Sequence, residues 1–279
     1  MKKLKSLGVF LLCTFVPYIL VKYTIKFQGI EMGLGVLLLI LIALFLYLKP
    51  KIYTLIARRM YMVDYKKGFK WFQKSYDTGK MNPQQALIYA YLLIRNAEID
   101  KAERLITSIL LNRKSELSEQ NILASDLNMA IILWKKGDIK GAIEKMEYVY
   151  QTGYRSSVHY QTLGVFYILN GQLQRALEFS LEGKDYSPCD QSINDNLGLC
   201  YYHLGENDKA MKVYEEIFDL KEPEFIESYY NYGLVLEKDG QYQKAYEYYQ
   251  KARSCPEKYL STVKISQVDY ALDRVEKLI

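Results

Sequence analysis

Four cysteines and two histidines are the side chains of this 279-residue sequence best suited to ligate a metal or attack a substrate. Cys13, Cys189, Cys200 and Cys255 contain no C-x-x-C pair, and His159 and His203 offer no convincing Cys–His pair, so zinc ligation has little support. Phosphate-loop, zinc-protease and nucleophile-elbow spacings (GxxxxGK[ST], HExxH, GxSxG) do not occur. The sequence therefore reads as no enzyme, with no catalytic residue, metal or cofactor. Cysteine usage of this kind fits a reducing compartment, and Cys200 reads as a small core residue. The chemistry that remains is recognition, and tyrosine, at 27 residues, is its most abundant carrier.

Recognition side chains need a frame, and the frame is periodic. LGVFYILNGQLQRALEFS (163–180) places Gly164 and Ala176 inside two apparent helices, although glycine costs a helix interior about 1 kcal/mol relative to alanine. The pair recurs as Gly198/Ala210 and Gly233/Ala245, and earlier as Ala130/Ala142 and Ala90/Ala102. Small residues at these places let two antiparallel helices approach closely. Bulky partners recur at helical spacing: Tyr160, Leu163 and Tyr167, then Asn194, Leu197 and Tyr201, then Tyr229, Tyr232 and Leu236. Gly137, Gly171, Gly205 and Gly240 fall between the paired helices, where a left-handed cap favours glycine, while Ala97 departs from that rule.

This pattern resembles the tetratricopeptide repeat, a helix–turn–helix unit of about 34 residues. The matching residues include Tyr160, Leu163, Gly164, Tyr167, Ala176 and Pro188, then Leu197, Gly198, Tyr201, Ala210 and Tyr214, then Gly233, Ala245, Tyr249, Ala252 and Pro256. Ser180 and Gly183 replace the family's Phe and last Ala. The expected architecture is all-α: two N-terminal transmembrane helices, then a right-handed tetratricopeptide superhelix with a C-terminal capping helix. The expected divisions are a membrane hairpin at 1–49, a basic join with a degenerate first repeat at 50–82, five repeats at 83–259, and an amphipathic cap at 260–279. Gly68, Phe72 and Ser75 stand where the degenerate unit's second helix needs them.

In such repeats the first helix of each unit lines a concave face. The resemblance implies partner-binding candidates at Tyr91, Arg95, Ile131, Trp134, Lys135, Gln161, Val165, Ile168, Asp195, Leu199, Tyr202, Tyr230, Leu234 and Lys238, with Leu127 alongside. Tyr91, Ile131, Val165, Leu199 and Leu234 occupy one equivalent row. Family members that clamp an acidic C-terminal peptide carry Asn there, so this apolar row suits an apolar peptide or partner helix better. The row equally suits plain filling of a tightly wound superhelix.

The overall charge of +5 hides two parts. Residues 1–82 carry 14 Lys/Arg against 3 Asp/Glu, and the rest 23 against 29, so the repeats are acidic and no nucleic-acid stripe exists. Two uncharged apolar segments lie in the basic part, 7–21 and 32–48. The second has no polar face and, at 17 residues, lies at the lower end of what spans a bilayer, with Ile30 and a snorkelling Lys49 to extend it. The first is short, contains Pro17 and follows MKKLKS. It reads as an uncleaved membrane helix rather than a signal peptide, because no small-x-small cleavage site follows. Lysines and arginines outnumber those of the short connection on both outer sides, which places both termini in the cytoplasm. Pro50 reads as the start of a new helix. The nine Lys/Arg from Lys49 to Lys80 read either as attraction to anionic lipid or as a topology signal on a solvated helix face.

The expected protein is a multi-pass cell-membrane scaffold, bacterial by its MKKLK start and its Lys, Ile and Tyr content. Its cytoplasmic repeats would bind a protein or peptide partner on the concave face. The alternatives are an assembly or quality-control factor for envelope components, and a receptor for a short signalling peptide.

Overall fold

The structure, a computed structural model, describes residues 16–27 and 29–279. Every regular element among the described residues is helical, and none is a strand. The chain divides into two compact units, one ending at Tyr89 and one beginning at Ala90.

In the first unit, residues 16–27 are helical (α1) and α2 runs over Ile30–Tyr61. Most of the expected first apolar segment lies outside the described residues. Among the described residues α2 is the one helix long and apolar enough to cross a membrane, with a mean hydropathy of 2.5 over its best window. Pro50 does not open a new helix as expected: α2 continues through it without a break. A proline inside a helix leaves one carbonyl without its N–H donor. That carbonyl is Leu46's, four residues back; the Pro50 carbonyl itself ties α2 to α3 (Tyr65–Tyr76), whose Ser75 Oγ donates to it at 2.8 Å. Thr54 Oγ1 donates to the same oxygen at 2.9 Å. Asp64 caps α3 by accepting from the Lys67 N–H. A Cβ at Gly68 would stand 2.5 Å from the Tyr61 backbone, so α2 and α3 meet only because that position is glycine. Phe72 and Ser75 are buried beside it.

The unit boundary falls within α4 (Pro83–Arg95). The second unit continues with α5 (Ile99–Asn112), α6 (Glu119–Lys135), α7 (Ile139–Gln151), α8 (Ser157–Leu169), α9 (Leu173–Tyr186), α10 (Gln191–His203), α11 (Asn207–Leu220), α12 (Ile226–Lys238), α13 (Tyr242–Ser254) and α14 (Ile265–Val275). Helices pack as consecutive pairs, α6/α7, α8/α9, α10/α11 and α12/α13, and α10 also touches α8 and α12. This is a solenoid of helical hairpins.

The turns inside the pairs are chemically alike. After α6, the Asp138 N–H reaches back to the Leu133 carbonyl and the Gly137 N–H to Trp134, both at 2.9 Å. This is the Schellman closure, which needs one left-handed residue. Gln172→Tyr167, Glu206→Tyr201 and Gln241→Leu236 repeat the long bond. Ala97, at φ 63°, makes the same turn without glycine, its follower Glu98 bonding Leu93 at 2.9 Å. The turn geometry thus overrides the residue's own preference.

The small residues also sit as the periodicity requires. Ala90, Ala102, Ala130, Ala142, Ala176, Ala210 and Ala245 are all fully buried. At Gly198 and Gly233 a ring takes the place of the missing side chain. An added Cβ would lie 2.7 Å from the Tyr214 ring and 2.4 Å from the Tyr249 ring. Gly164 is spared a ring, because Ser180 stands across from it; there the near neighbour is Asn196 Nδ2 at 2.9 Å.

The cap helix α14 begins at Ile265, not at the expected Leu260. Residues 256–264 are held non-helical by side chains that take up their backbone donors. Ser261 Oγ accepts from Lys258 N–H at 3.2 Å, Glu227 Oε1 from Thr262 at 2.8 Å, and Glu257 Oε2 from Ile265 at 2.9 Å. Arg274 on α14 then grips Glu237 of α12 through two bonds of 2.7 and 2.6 Å.

Two substitutions test the packing logic by sign. Gly→Ala inside a helix ordinarily stabilises by about 1 kcal/mol. Gly233→Ala is expected to destabilise the full chain by about 1–3 kcal/mol, because the buried Tyr249 ring has to shift. Ala97→Gly is expected to stabilise it by about 0.5–1 kcal/mol by removing a strained left-handed alanine. Chemical denaturation in detergent reads both, and a stabilising Gly233→Ala would refute the close approach.

Candidate functional site

A cavity of about 390 Å³ opens within the second unit. Its walls come from the first helices of successive hairpins, α4, α6, α8, α10 and α12, and from the segment preceding α14. Of the residues expected on the concave face, Tyr91, Ile131, Trp134, Gln161, Val165, Asp195 and Leu199 line it. Lys135, next to Trp134 in the chain, is outside the lining. Arg95, Ile168, Tyr202, Tyr230, Leu234 and Lys238 are outside the lining, and Ile168 is buried. Lys238 Nζ instead donates to the Tyr202 carbonyl at 3.3 Å, and Tyr230 packs on Tyr249 with ring centroids 5.7 Å apart.

The lining is two-sided in chemistry. Tyr91, Ile131, Trp134, Val165 and Leu199 are apolar or aromatic, and Trp134 is steadied by Phe166 at 5.3 Å between centroids. Gln161, Thr162, Ser192, Asp195, Asn196, Glu227 and Asn231 are polar. Several are fixed before any ligand arrives. Asn196 Nδ2 donates to the Gln161 carbonyl at 2.8 Å, and Gln161 Nε2 to Asp190 Oδ2 at 2.7 Å. Preorganised polar groups on a largely apolar wall are the ordinary make-up of a binding cleft.

Asp195 is the unusual member, with only 5% of its surface exposed. Ser228 Oγ donates to its Oδ1 at 3.1 Å and Asn231 Nδ2 to its Oδ2 at 3.1 Å. Burial pushes its carboxyl up to about 7, nearby Glu227 adds to the rise, and the donated hydrogen bonds oppose it. Tyr214 from α11 donates to the Asp195 backbone carbonyl at 3.2 Å, tying the cavity wall to the core.

Sequence reasoning did not find the segment 258–262. Lys258, Leu260, Ser261 and Thr262 line the cavity. Tyr259 meets Lys135, whose Nζ lies 4.8 Å from its ring centroid and 3.8 Å from that of Trp134. Burial and Lys264 draw the Lys135 ammonium down to about 8, while the two ring faces favour its charged form. A chain segment more than a hundred residues downstream leaves no local signal at Lys135. Glu227, Ser192 and Asn231 were legible only as neighbours of expected positions.

Among the described residues no group of three or more His, Cys, Asp or Glu side chains gathers to hold a metal. Cys189 is exposed and Cys200 buried, its thiol pushed up to about 12 by burial.

Comparison with known proteins fits this geometry. Tetratricopeptide repeat models match residues 192–223 and 226–255. A tetratricopeptide repeat protein from Parabacteroides merdae is 13% identical, with a TM-score of 0.62, over 93% of this chain and 98% of that one. A thermophilic tetratricopeptide protein of Thermus thermophilus is 18% identical (TM-score 0.54, 70% of this chain and 99% of that one). PilF of Pseudomonas aeruginosa is 15% identical (TM-score 0.55, 71% and 84%). No curated protein matches the chain. Residues 192–255 thus match tetratricopeptide repeat models, the regular elements among the described residues are all helical, and at these identities the solved structures speak for the fold alone.

Asp195 gives the site a pH signature. Between about pH 4, where an unfolded aspartate releases its proton, and pH 7, the folded protein holds one proton more. The stability contributed by this residue is complete below that window and is lost as the pH rises through it. Asp195→Asn is expected to remove that component. The difference in melting temperature between variant and parent would then change steadily from pH 4 to pH 7, and a constant difference would refute the buried, protonated carboxyl.

Proposed function

We propose that this chain is a membrane-anchored adaptor whose second unit takes a short extended segment of a cytoplasmic protein or peptide into the cavity. One observation supports the reading: Tyr91, Ile131, Val165 and Leu199, from successive first helices, line one cavity together with polar side chains held by hydrogen bonds. An extended segment has apolar side chains for such a row and backbone groups for Gln161, Asn196 and Asn231. The candidates outside the lining, Arg95, Lys135, Ile168, Tyr202, Tyr230, Leu234 and Lys238, belong to this proposal only as more distant contacts.

The volume favours a short occupant, since about 390 Å³ lies at the low end of small-ligand clefts. Segment 258–262 occupies part of the same space, which supports the short-peptide receptor as the second reading. An assembly factor for envelope components would use the same groove for a larger client's tail.

Anchoring rests on α2. The span from Ile30 to Leu48 is apolar and almost wholly unburied, and the basic residues from Lys49 onward follow it. By the distribution of Lys and Arg, the repeats belong on the cytoplasmic side.

A photoreactive residue at Val165, in intact membranes, is expected to capture a protein or peptide. The same residue at Trp134 is expected to capture the same species. Val165→Asp should weaken that partner's binding about tenfold or more, by placing a charge on the apolar row. Capture at neither position would sink the concave-face reading.

A further inference from the structure

We infer that a cavity in the first unit, at the basic end of the α2 apolar span, binds the headgroup of an anionic phospholipid. The cavity measures about 370 Å³ and is built from one face of α2, the α3–α4 connection and the first turn of α4. It gathers three cations, Lys51, Arg58 and Lys80, and among the described residues no carboxylate lines it. The inference rests on the anchoring reading, since only a membrane-embedded α2 brings this cavity to lipid.

The cations are available. Among the described residues none of the three forms an ion pair, whereas Lys67 on α3 is paired with Asp64 at 3.3 Å. Lys51 Nζ lies 5.5 Å from the centroid of the Tyr47 ring. Like charges that converge without a counter-ion call for an anion, and a phosphodiester supplies a compact one.

A second observation points to the rest of the headgroup. Gln85 Oε1, on the cavity lining, is buried with no hydrogen-bond partner. A buried carbonyl oxygen without a donor is costly. A hydroxyl on the headgroup, as in a glycerol-bearing phospholipid, would satisfy it beside the phosphate.

Depth decides for lipid over a free phosphate. Lys51 lies within one turn of Leu48, the end of the apolar run, or about 5 Å along the axis at 1.5 Å per residue. The polar zone of a bilayer leaflet is about 5–7 Å thick, so this cation stands at headgroup level. The walls are partly apolar and open, with Leu55 70% exposed and Tyr47 57% exposed. A soluble anion gains nothing from such walls, whereas a lipid's glycerol and upper acyl groups do.

The test uses the full chain reconstituted in nanodiscs of phosphatidylcholine, with or without phosphatidylglycerol, and mass spectrometry of the lipid retained on delipidation. The parent should retain phosphatidylglycerol preferentially. Lys51→Gln/Arg58→Gln/Lys80→Gln should retain about fivefold less or lower still, while Lys66→Gln/Lys70→Gln/Lys74→Gln, with equal charge loss outside the cavity, should stay within about twofold of the parent. Gln85→Leu, which keeps every charge, should lower retention about threefold and so decides the matter if the charge variant fails to insert. Equal losses in the two charge variants would mean diffuse attraction and overturn the site, as would unchanged retention in Gln85→Leu together with the cavity variant. Displacement by sn-glycerol 3-phosphate at low concentration would assign the cavity to a soluble phosphate and overturn the lipid. Release of the parent from native membranes by alkaline carbonate would sink the anchoring reading, and this site with it; retention in the carbonate pellet with no lipid preference would sink the site alone.

Discussion

A tyrosine ring seated on a missing side chain is the contact on which the second unit depends. Tyr214 of α11 lies over Gly198 of α10, and Tyr249 of α13 over Gly233 of α12; both rings are fully buried. A Cβ at either glycine would overlap the ring, so the helix spacing is set by the absence of one carbon. The hydroxyls of the same rings bond to the first helix. Tyr214 ends on the Asp195 carbonyl and Tyr249 on Glu237, with O···O distances of 3.2 and 2.7 Å. Burial raises both phenols well above the ordinary tyrosine range, so they stay neutral donors.

Through those hydroxyls the packing reaches the functional surface. Asp195 is held between Ser228 and Asn231 on the next hairpin, so cavity wall and hairpin stacking share one hydrogen-bonded group. Glu237 holds Arg274 and with it the cap helix α14. The cap's lead-in, 256–264, is in turn fastened by Glu227 and Glu257 and supplies a wall of the cavity. Closing the end of the solenoid and shaping its groove are therefore one arrangement, which explains why the segment is ordered by carboxylates instead of continuing as helix.

Much of this was legible in particular residues. The alternation of Ala130, Gly164, Gly198 and Gly233 marks the first helices, and the intervening glycines mark the turns, because both demands are local and steric. Even Ala97 kept the turn, since the bond from the Glu98 N–H to the Leu93 carbonyl closes whichever residue accepts the left-handed conformation. The groove row was legible in part: Tyr91, Ile131, Val165 and Leu199 line the cavity, while Leu234 does not. Equivalent sequence positions face equivalent directions, yet whether a side chain meets open space depends on what lies opposite. Pro50 misled because a proline removes one N–H donor without compelling a helix to stop, and α2 runs on to Tyr61.

By itself the sequence determined the repeat period, the hairpin turns, the small-residue seams and the long apolar stretch before a basic one. Each of these is written in spacing along the chain and enforced by neighbours within a few turns. Tertiary structure alone decided that Asp195 is sealed from water, that Tyr259 reaches Lys135, that 258–262 narrows the groove, and that Lys51, Arg58 and Lys80 share one cavity. The physical reason is range. Burial, pKa and charge convergence are set by groups brought together from distant positions, and nothing in the spacing of a residue's own helix records who will stand across from it.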